Sequence, residues 1–175
     1  VTPSYEGIDA GLYSAPELYD MDQDGDLDLL LGHHRGLVQY YENTGNAAVA
    51  AFVKISDSLG GIKVNDFTGD PVSNGFSKPR IVDVDGDGQP ELLVGTVDGV
   101  IKVYDGLNLA PAAVFTDKGD LFQRDFGGYV AVAAAALDSS RLSYVIGTQR
   151  GGLMLMRSTG IVDAEAPTRP PIALL

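Results

Sequence analysis

The 175-residue sequence contains no cysteine and no tryptophan, and it has only two histidines. The absence of cysteine excludes a disulfide framework and a thiolate metal site. No apolar run approaches the roughly 18 residues of a membrane span, and no charged-then-apolar leader opens the sequence. We therefore expect a processed or excised piece of a larger protein, without a membrane span.

Basic residues are also scarce, because 12 lysines and arginines face 24 acidic residues and leave a formal net charge of −12. Without a cluster of basic side chains to neutralise phosphates, nucleic acid is not expected as a partner. The apolar content of 45% excludes a disordered chain. The length predicts one domain with a sizeable core.

Aspartate, in contrast, is concentrated in two short loops that share one template and begin 63 residues apart. Each loop places carboxylates at positions 1, 3, 5 and 9 and a glycine at position 6, while position 7 offers its main-chain carbonyl. The candidate metal ligands are Asp20, Asp22, Asp24, Asp26 and Asp28 in the first loop and Asp83, Asp85, Asp87, Gln89 and Glu91 in the second.

This pattern predicts two Ca²⁺ sites, one per loop. Several oxygen ligands suit a hard cation, Ca²⁺ before Mg²⁺, and without an ion the carboxylates would repel one another. The alternative is a solvated Asp-Gly turn that binds nothing, but such a turn needs fewer acids than these loops carry. An open site with a Kd of about 10⁻⁴ M would fill outside cells rather than in the cytosol, so we expect a secreted or cell-surface protein.

An EF-hand begins in the same way, but it needs a bidentate glutamate at position 12 and an exiting helix. Position 12 is Leu31 in the first loop and Val94 in the second. Both loops run directly into apolar, strand-like residues. The sequence therefore excludes an EF-hand.

A longer repeat surrounds the loops. Residues 14–20 match residues 77–83, and an eroded third copy spans residues 129–157, whose loop keeps one acid and is not expected to bind calcium. Each copy is predicted to form short antiparallel strands, named A to D. The predicted strands are 14–19, 28–31, 37–41 and 52–55 in the first copy, 78–82, 91–94, 100–104 and 112–116 in the second, and 130–135, 143–146 and 153–156 in the third.

Repeats of this length and composition predict an all-β fold of about three four-stranded antiparallel β-propeller blades. The blades are expected at residues 13–56, 76–117 and 129–157 within a domain covering 1–158. Alanines 131–136 favour a helix by propensity, but the alignment makes them a strand, and no D strand is evident in the third copy. The Pro-rich residues 159–175 are predicted to be a C-terminal linker.

The loop motif and the strands around it resemble the FG-GAP and VCBS repeat family, which includes the integrin α-subunit propeller and many secreted bacterial proteins. The resemblance covers residues 13–157. It implies that the acids at positions 1, 3, 5 and 9 bind Ca²⁺, although Glu91 stands where the family usually has aspartate. The phrase Tyr40–Gly45 resembles blades of bacterial surface proteins, in which a similar linker often leads to a sorting domain for type IX secretion.

Propellers close with roughly four to eight blades, so we expect the remaining blades in a preceding segment or a partner chain. The favoured function is a non-catalytic, calcium-stabilised module that binds protein or glycan in adhesion. The alternative is part of a propeller-containing carbohydrate-active enzyme, such as a polysaccharide lyase. No nucleophile elbow, HExxH or phosphate loop is present, and no catalytic residue is assigned.

Binding is expected at the end of the blades opposite the calcium loops. The B–C turns 33–35, 96–98 and 148–150 emerge there with the D–A connections 56–75 and 117–128, and loops on a rigid scaffold commonly carry binding residues. His33 and His34 are interpreted as solvated turn residues. Tyr40, Tyr41 and Tyr104 are expected to pack between blades rather than to form a sugar-stacking surface.

Overall fold

The computed structural model of the chain describes residues 5–64, 75–109, 113–138, 141–158 and 172–174. These residues form three four-stranded sheets. Sheet 1 contains β1 Ala15–Tyr19, β2 Asp28–Gly32, β3 Val38–Asn43 and β4 Phe52–Ser56. Sheet 2 contains β5 Lys78–Val82, β6 Glu91–Gly95, β7 Ile101–Asp105 and β8 Thr116–Asp120. Sheet 3 contains β9 Ala131–Asp138, β10 Arg141–Gly147, β11 Leu153–Ser158 and β12 Ile172–Leu174.

Every sheet is an antiparallel meander in which each strand pairs with the next one in the chain. The predicted all-β class is therefore confirmed. The described part of the chain contains no helix long and apolar enough to cross a membrane. The alanines of β9 form a strand and not a helix, because β10 pairs with them from Ala131 to Asp138.

The fourth strand of sheet 2 does not lie where it was predicted. Residues 112–116 were expected to form it, but β8 begins at Thr116. The amide of Phe115 donates a hydrogen bond to the carbonyl of Gly60 at 3.0 Å, and its ring packs into the core between sheets 1 and 2. Phe115 thus fills the core, and the polar segment that begins at Thr116 pairs with β7. The ion pair Lys102–Asp120 at 2.8 Å also joins these two strands.

Sheet 3 has a fourth strand that the sequence did not reveal. Ile172, Ala173 and Leu174 pair antiparallel with β11. These three residues lie within the stretch predicted as a linker, and the structure places them in the sheet. Residues 159–171 and Leu175 lie outside the described residues.

Sheet 2 is covered on both faces, which explains the run of three consecutive apolar residues in β6, Leu92, Leu93 and Val94. Leu92 and Val94 point into the core shared with sheet 1, whereas Leu93 points into the core shared with sheet 3. All three side chains are fully buried. The connections between sheets contribute to these cores, with Ile62 in the first and Phe122 in the second.

The face of sheet 1 that points away from sheet 2 is covered by the segment before β1. Ile8 and Ala10 pack there against Leu31, Tyr41 and Phe52. The connections between sheets contribute in the same way to the other two cores. The three apolar layers are therefore stacked in the order N-terminal segment on sheet 1, sheet 1 on sheet 2, and sheet 2 on sheet 3.

Strands β1, β5 and β9 lie side by side, and Arg80 of β5 ties them together. Its Nη1 donates to Oε1 of Glu17 at 3.0 Å, and its Nη2 donates to the carbonyl of Ala134 at 3.1 Å. The Nζ of Lys78 makes a second link, to the carbonyl of Tyr129 at 2.6 Å. One strand of sheet 2 thus holds both neighbouring sheets.

An aromatic column stands at the entry to these three strands. The rings of Tyr13, Phe76 and Tyr129 contact one another edge to face, with centroids 4.7 and 4.5 Å apart. Each residue has a positive φ of 60°, 49° and 50°, respectively, a conformation that is unfavourable for a bulky side chain. The same backbone feature therefore recurs before the first strand of each sheet.

Candidate metal centres

Each acidic loop connects the first two strands of a sheet. The pairs Tyr19–Asp28 and Val82–Glu91 close the loops at their bases. The strand pairing therefore sets position 9 of each loop next to the start of the loop. The sheet fixes the geometry at the base of each loop, and only the loop residues between the two paired positions need contacts within the loop.

The glycine at position 6 folds each loop back onto its first aspartate. The amide of Gly25 donates to Oδ2 of Asp20 at 3.1 Å, and the amide of Gly88 donates to Oδ2 of Asp83 at 2.9 Å. These glycines have φ angles of 97° and 85°, where L-residues are strained. A side chain would have room at either position, so the backbone angle alone requires glycine.

Three further hydrogen bonds recur at matching loop positions. The amide of position 5 donates to the carboxylate of position 3, that of position 7 to position 5, and that of position 2 to position 9. In the first loop the donor–acceptor pairs are Asp24–Asp22 at 3.2 Å, Asp26–Asp24 at 3.0 Å and Met21–Asp28 at 3.0 Å. In the second they are Asp87–Asp85 at 3.1 Å, Gln89–Asp87 at 2.7 Å and Val84–Glu91 at 2.7 Å.

Each loop gathers three carboxylates that could hold one cation. In the first loop the group is Asp20, Asp22 and Asp24, each offering an oxygen within 4.8 Å of the others. In the second loop the corresponding group is Asp83, Asp85 and Glu91. The structure thus brings together positions 1, 3 and 5 in one loop and positions 1, 3 and 9 in the other.

Asp28 and Asp87 stand outside these groups. Asp28 is fully buried, and its oxygens accept hydrogen bonds from the amides of Met21 and Asn43 and from the hydroxyl of Tyr40. Asp28 therefore anchors the loop to sheet 1. Asp87, in contrast, is exposed and accepts the amide of Gln89, which is also exposed.

Two oxygens of the first loop are buried without a hydrogen-bond partner among the described residues, Oδ1 of Asp20 and Oδ1 of Asp26. Burying an anionic oxygen without a partner is unfavourable. Burial raises the pKa of Asp26, and the neighbouring carboxylates of Asp24, Asp28 and Asp22 raise it further. A divalent cation would neutralise this accumulation of charge, so the residues fit such an ion.

Glu91 of the second loop is also buried. Burial raises its pKa to about 7, the neighbouring carboxylates add to the shift, and the hydrogen bond from the amide of Val84 opposes it. The extra methylene of Glu91 allows its carboxylate to reach both this amide and the group formed with Asp83 and Asp85. The candidate metal-ligand atoms in both loops are all oxygens, which suits a hard cation.

Sheet 3 replaces the long loop with a short connection. β9 continues to Asp138, which pairs with Arg141 of β10. Residues 139 and 140 lie outside the described residues. The expectation that this connection binds no calcium stays a prediction.

At the opposite end, the β2–β3 turn meets the connection between sheets, as expected. The amide of Val64 donates to the carbonyl of Gly36 at 2.8 Å. The interpretation of His33 as solvated is wrong, because only 3% of it is exposed and the turn is packed against the start of sheet 2. His34 is half-buried.

The three strand tyrosines pack inside the protein. Tyr40 and Tyr104 belong to the core between sheets 1 and 2, and Tyr41 to the layer beneath the N-terminal segment. Each has less than one tenth of its surface exposed. Tyr40 and Tyr104 therefore pack between two sheets, as expected, whereas Tyr41 packs beneath the N-terminal segment instead. Buried in this way, the three rings do not form a sugar-stacking surface.

The sequence pattern missed the residues that hold the first loop to the sheet. Asn43 lies in β3, where its amide bonds Asp28 and its side-chain Oδ1 accepts from the amides of Gly45 and Ala51. Its position at the end of a strand, before Thr-Gly, is a turn signal in the sequence. The link to Asp28 could not be read from that signal, because it depends on strand register.

Comparison of the chain with known proteins gave no match to a protein-family model. No curated protein and no solved structure matches it either.

Proposed function

We propose that the chain is a calcium-stabilised, non-catalytic segment of a β-propeller that mediates protein or glycan binding in a secreted or cell-surface protein. The observation that carries this proposal is the pair of acidic loops. Each gathers three carboxylates within 4.8 Å, and both use the same four loop hydrogen bonds. The recurrence of these loop hydrogen bonds at two separate sites favours a common ligand.

Calcium is the proposed ion because every donor is an oxygen and the loops are open to solvent. Asp20, Asp22 and Asp24 would hold the first ion and Asp83, Asp85 and Glu91 the second, with water or main-chain carbonyls completing the shell. The ions would neutralise carboxylates that repel one another and would keep the first two strands of sheets 1 and 2 in register. Their role is structural, and at tenfold excess over Kd each would stabilise the fold by about 1.4 kcal/mol.

The propeller assignment rests on how the three sheets pack. Sheets 1 and 2 share one apolar core and sheets 2 and 3 share another, as blades do. On sheet 3, Leu137 and Leu153 are mostly exposed. Because propellers close with roughly four to eight blades, we propose further blades, from a preceding segment or a partner chain.

Binding is proposed at the end opposite the acidic loops, where the β2–β3 and β6–β7 turns meet the connections between sheets. The amides of Val64 and Phe126 tie these connections to Gly36 and Gly99. The exposed residues of these turns differ, Arg35 in the first and Asp98 in the second, while the backbone contacts match, so these exposed side chains can vary without disturbing the fold. Surface loops on such a scaffold commonly carry recognition.

Thermal melting in EGTA and in excess Ca²⁺, followed by a glycan array on the calcium-loaded protein, tests the proposal. We expect a higher melting temperature with Ca²⁺ than with the same concentration of Mg²⁺, and no turnover of any glycan that binds. Cleavage of an array glycan would contradict the non-catalytic role. An identical melting temperature in EGTA and Ca²⁺ would contradict the structural role of the ion.

A further inference from the structure

The turn between β2 and β3 holds the first two sheets and the N-terminal segment together. The amide of His34 donates to the carbonyl of Leu12 at 3.1 Å, and the amide of Phe76 donates to the carbonyl of His34 at 3.1 Å. The amide of Val64 donates to the carbonyl of Gly36 at 2.8 Å. Three separate chain segments are therefore hydrogen-bonded to this one turn.

His33 lies at the centre of these contacts. Its amide donates to Oγ of Ser77 at 3.0 Å, and its carbonyl accepts the amide of Ser77 at 3.2 Å. The hydroxyl of Ser77 also donates to the carbonyl of Leu37. The turn packs closely against the segment that contains Val64, because a Cβ added to Gly36 would lie 1.8 Å from the carbonyl oxygen of Val64.

The imidazole of His33 is buried and is suited only to the neutral form. Its Nδ1 accepts the amide of Arg35 at 3.3 Å, which assigns the proton to Nε2. Nε2 has no hydrogen-bond partner among the described residues. A second proton would have to enter at Nδ1, where it would displace the Arg35 amide and place a charge in a buried site.

The charged groups around His33 do not favour a cation. Within the described part of the chain, His34, Arg35 and Lys54 act against its protonation, and Asp57 favours it. Asp57 is exposed and is paired with Lys54 at 3.0 Å. Burial, followed by His34 and Arg35, therefore lowers the pKa of His33 below 6.5. Because the folded state disfavours protonated His33, the stability contributed by the neutral imidazole is fully present above pH 6.5. It is lost as pH falls through the lowered pKa of His33 in the folded state.

Sheet 2 contains a matching turn in which the position of His33 is occupied by the neutral residue Thr96. Thr96 follows Gly95 as His33 follows Gly32, and it is equally buried. Its Oγ1 donates to the carbonyl of Val100 at 3.1 Å, and its carbonyl accepts the amide of Val130 at 3.0 Å. Thr96 thus shows that a neutral side chain can occupy the position of His33 and keep the hydrogen bonds of the turn.

We propose that the β2–β3 turn is a pH-sensitive latch, in which protonation of His33 on acidification releases the turn from Val64, Phe76 and Ser77. The first turn at the proposed binding end then loosens at mildly acidic pH, while the β6–β7 turn stays closed. The proposal does not depend on what the module binds or on the acidic loops holding calcium. It depends on the burial of His33 and on the bonds that converge on its turn.

Amide hydrogen exchange measured by NMR between pH 7.5 and 5 in excess Ca²⁺ tests the latch. After correction for intrinsic exchange, protection of the Val64 and Ser77 amides is expected to fall by up to about tenfold per pH unit, because opening takes up one proton. The amides of Phe126 and Val130, which bond the β6–β7 turn, serve as internal controls and are expected to keep their protection. An equal loss at all four amides would overturn the proposal.

His33→Thr is the matched variant, and it is expected to abolish the loss of protection at Val64 and Ser77. His34→Thr is expected to retain the loss, and an abolished response in that variant would contradict the assignment to His33. If His33→Thr does not fold, the His33 ring can be titrated by NMR in the unmodified protein. Titration at or above pH 6.5, or protection that persists after the ring has titrated, would overturn the latch.

Discussion

The hydroxyl of Tyr40 donates a hydrogen bond to Oδ2 of Asp28 at 3.1 Å, and this contact joins the core between sheets 1 and 2 to the first acidic loop. Both side chains are buried. Asp28 also accepts the amides of Met21 and Asn43. One carboxylate thus connects the entry to the loop, the end of β3 and the aromatic core.

Tyr40→Phe is therefore expected to lower the free energy of unfolding by about 1–3 kcal/mol, because it removes a buried hydrogen bond to a charged group. It should also weaken cation binding at the first loop and leave the second unchanged. Chemical denaturation and calcium titration measure these two effects. Tyr144→Phe is the control, since the buried Tyr144 hydroxyl has no partner in the described structure. A loss in Tyr144→Phe as large as that in Tyr40→Phe would contradict this explanation.

Arg80 is expected to stabilise the packing of the three sheets. Arg80→Met removes its bonds to Glu17 and to the carbonyl of Ala134 and leaves the Glu17 carboxylate, which is mostly buried, without its cation. We expect a loss of about 1–3 kcal/mol in the free energy of unfolding. Lys118→Met, which breaks the exposed pair with Asp105, should cost about 0–1 kcal/mol. Equal losses in denaturant titrations of the two variants would be evidence against the clamp.

Glycines at matching turn positions are expected to differ in their tolerance of alanine. Gly36 and Gly151 have φ angles of 75° and 76°, so a side chain costs about 1–2 kcal/mol at either site from backbone strain. At Gly36 a Cβ would also collide with the carbonyl of Val64, whereas at Gly151 no atom lies within 4 Å. Gly36→Ala should therefore lower the melting temperature clearly more than Gly151→Ala. A reversed order would contradict the packing of the first turn.

The sequence predicted most strands because alternation and the matching loops fix both their type and their order. It placed the last strand of sheet 2 too early because Phe115 is apolar, and an apolar residue serves equally well in a strand or in a core between sheets. β12 was missed because three residues after a proline-rich stretch carry no periodic signal.

The acidic residues of the loops were identified from spacing, but their division of labour was not. Asp28 and Glu91 occupy the same loop position, yet Asp28 bonds the sheet while Glu91 joins two other carboxylates. That difference depends on Tyr40 and Asn43, which approach only when β3 is in register. The burial of His33 was missed for the same reason, since its turn is bonded by Ser77, which directly precedes the first strand of the following sheet.

The second loop is expected to bind calcium in a pH-dependent way. Burial raises the pKa of Glu91 from 4.5 to about 7 in the cation-free fold, so the stability linked to its proton is present below pH 4.5 and is lost as pH rises through about 7. A cation must displace that proton. In Asp22→Ala, which leaves the second loop intact, affinity should fall about fivefold from pH 7 to pH 6, because Glu91 goes from about half protonated to mostly protonated.

Isothermal titration calorimetry in buffers of different ionisation enthalpy measures both the affinity and the proton released. Asp85→Ala, which leaves the first loop intact, is the comparison. Its affinity should change less, because the three carboxylates gathered in the first loop are exposed or half-buried, whereas Glu91 of the second loop is buried. If the calcium affinity of Asp22→Ala is the same at pH 6 and pH 7, the claim that Glu91 is protonated in the cation-free fold is contradicted.

Calcium stoichiometry by calorimetry at pH 7.5 tests the central claim most directly. The unmodified chain should bind two ions, Asp22→Ala and Asp85→Ala should bind one each, and Asp105→Ala, whose carboxylate lies outside both loops, should still bind two. Two ions bound in either loop variant, or no calcium bound by the unmodified chain, would contradict the assignment of the acidic loops as metal centres.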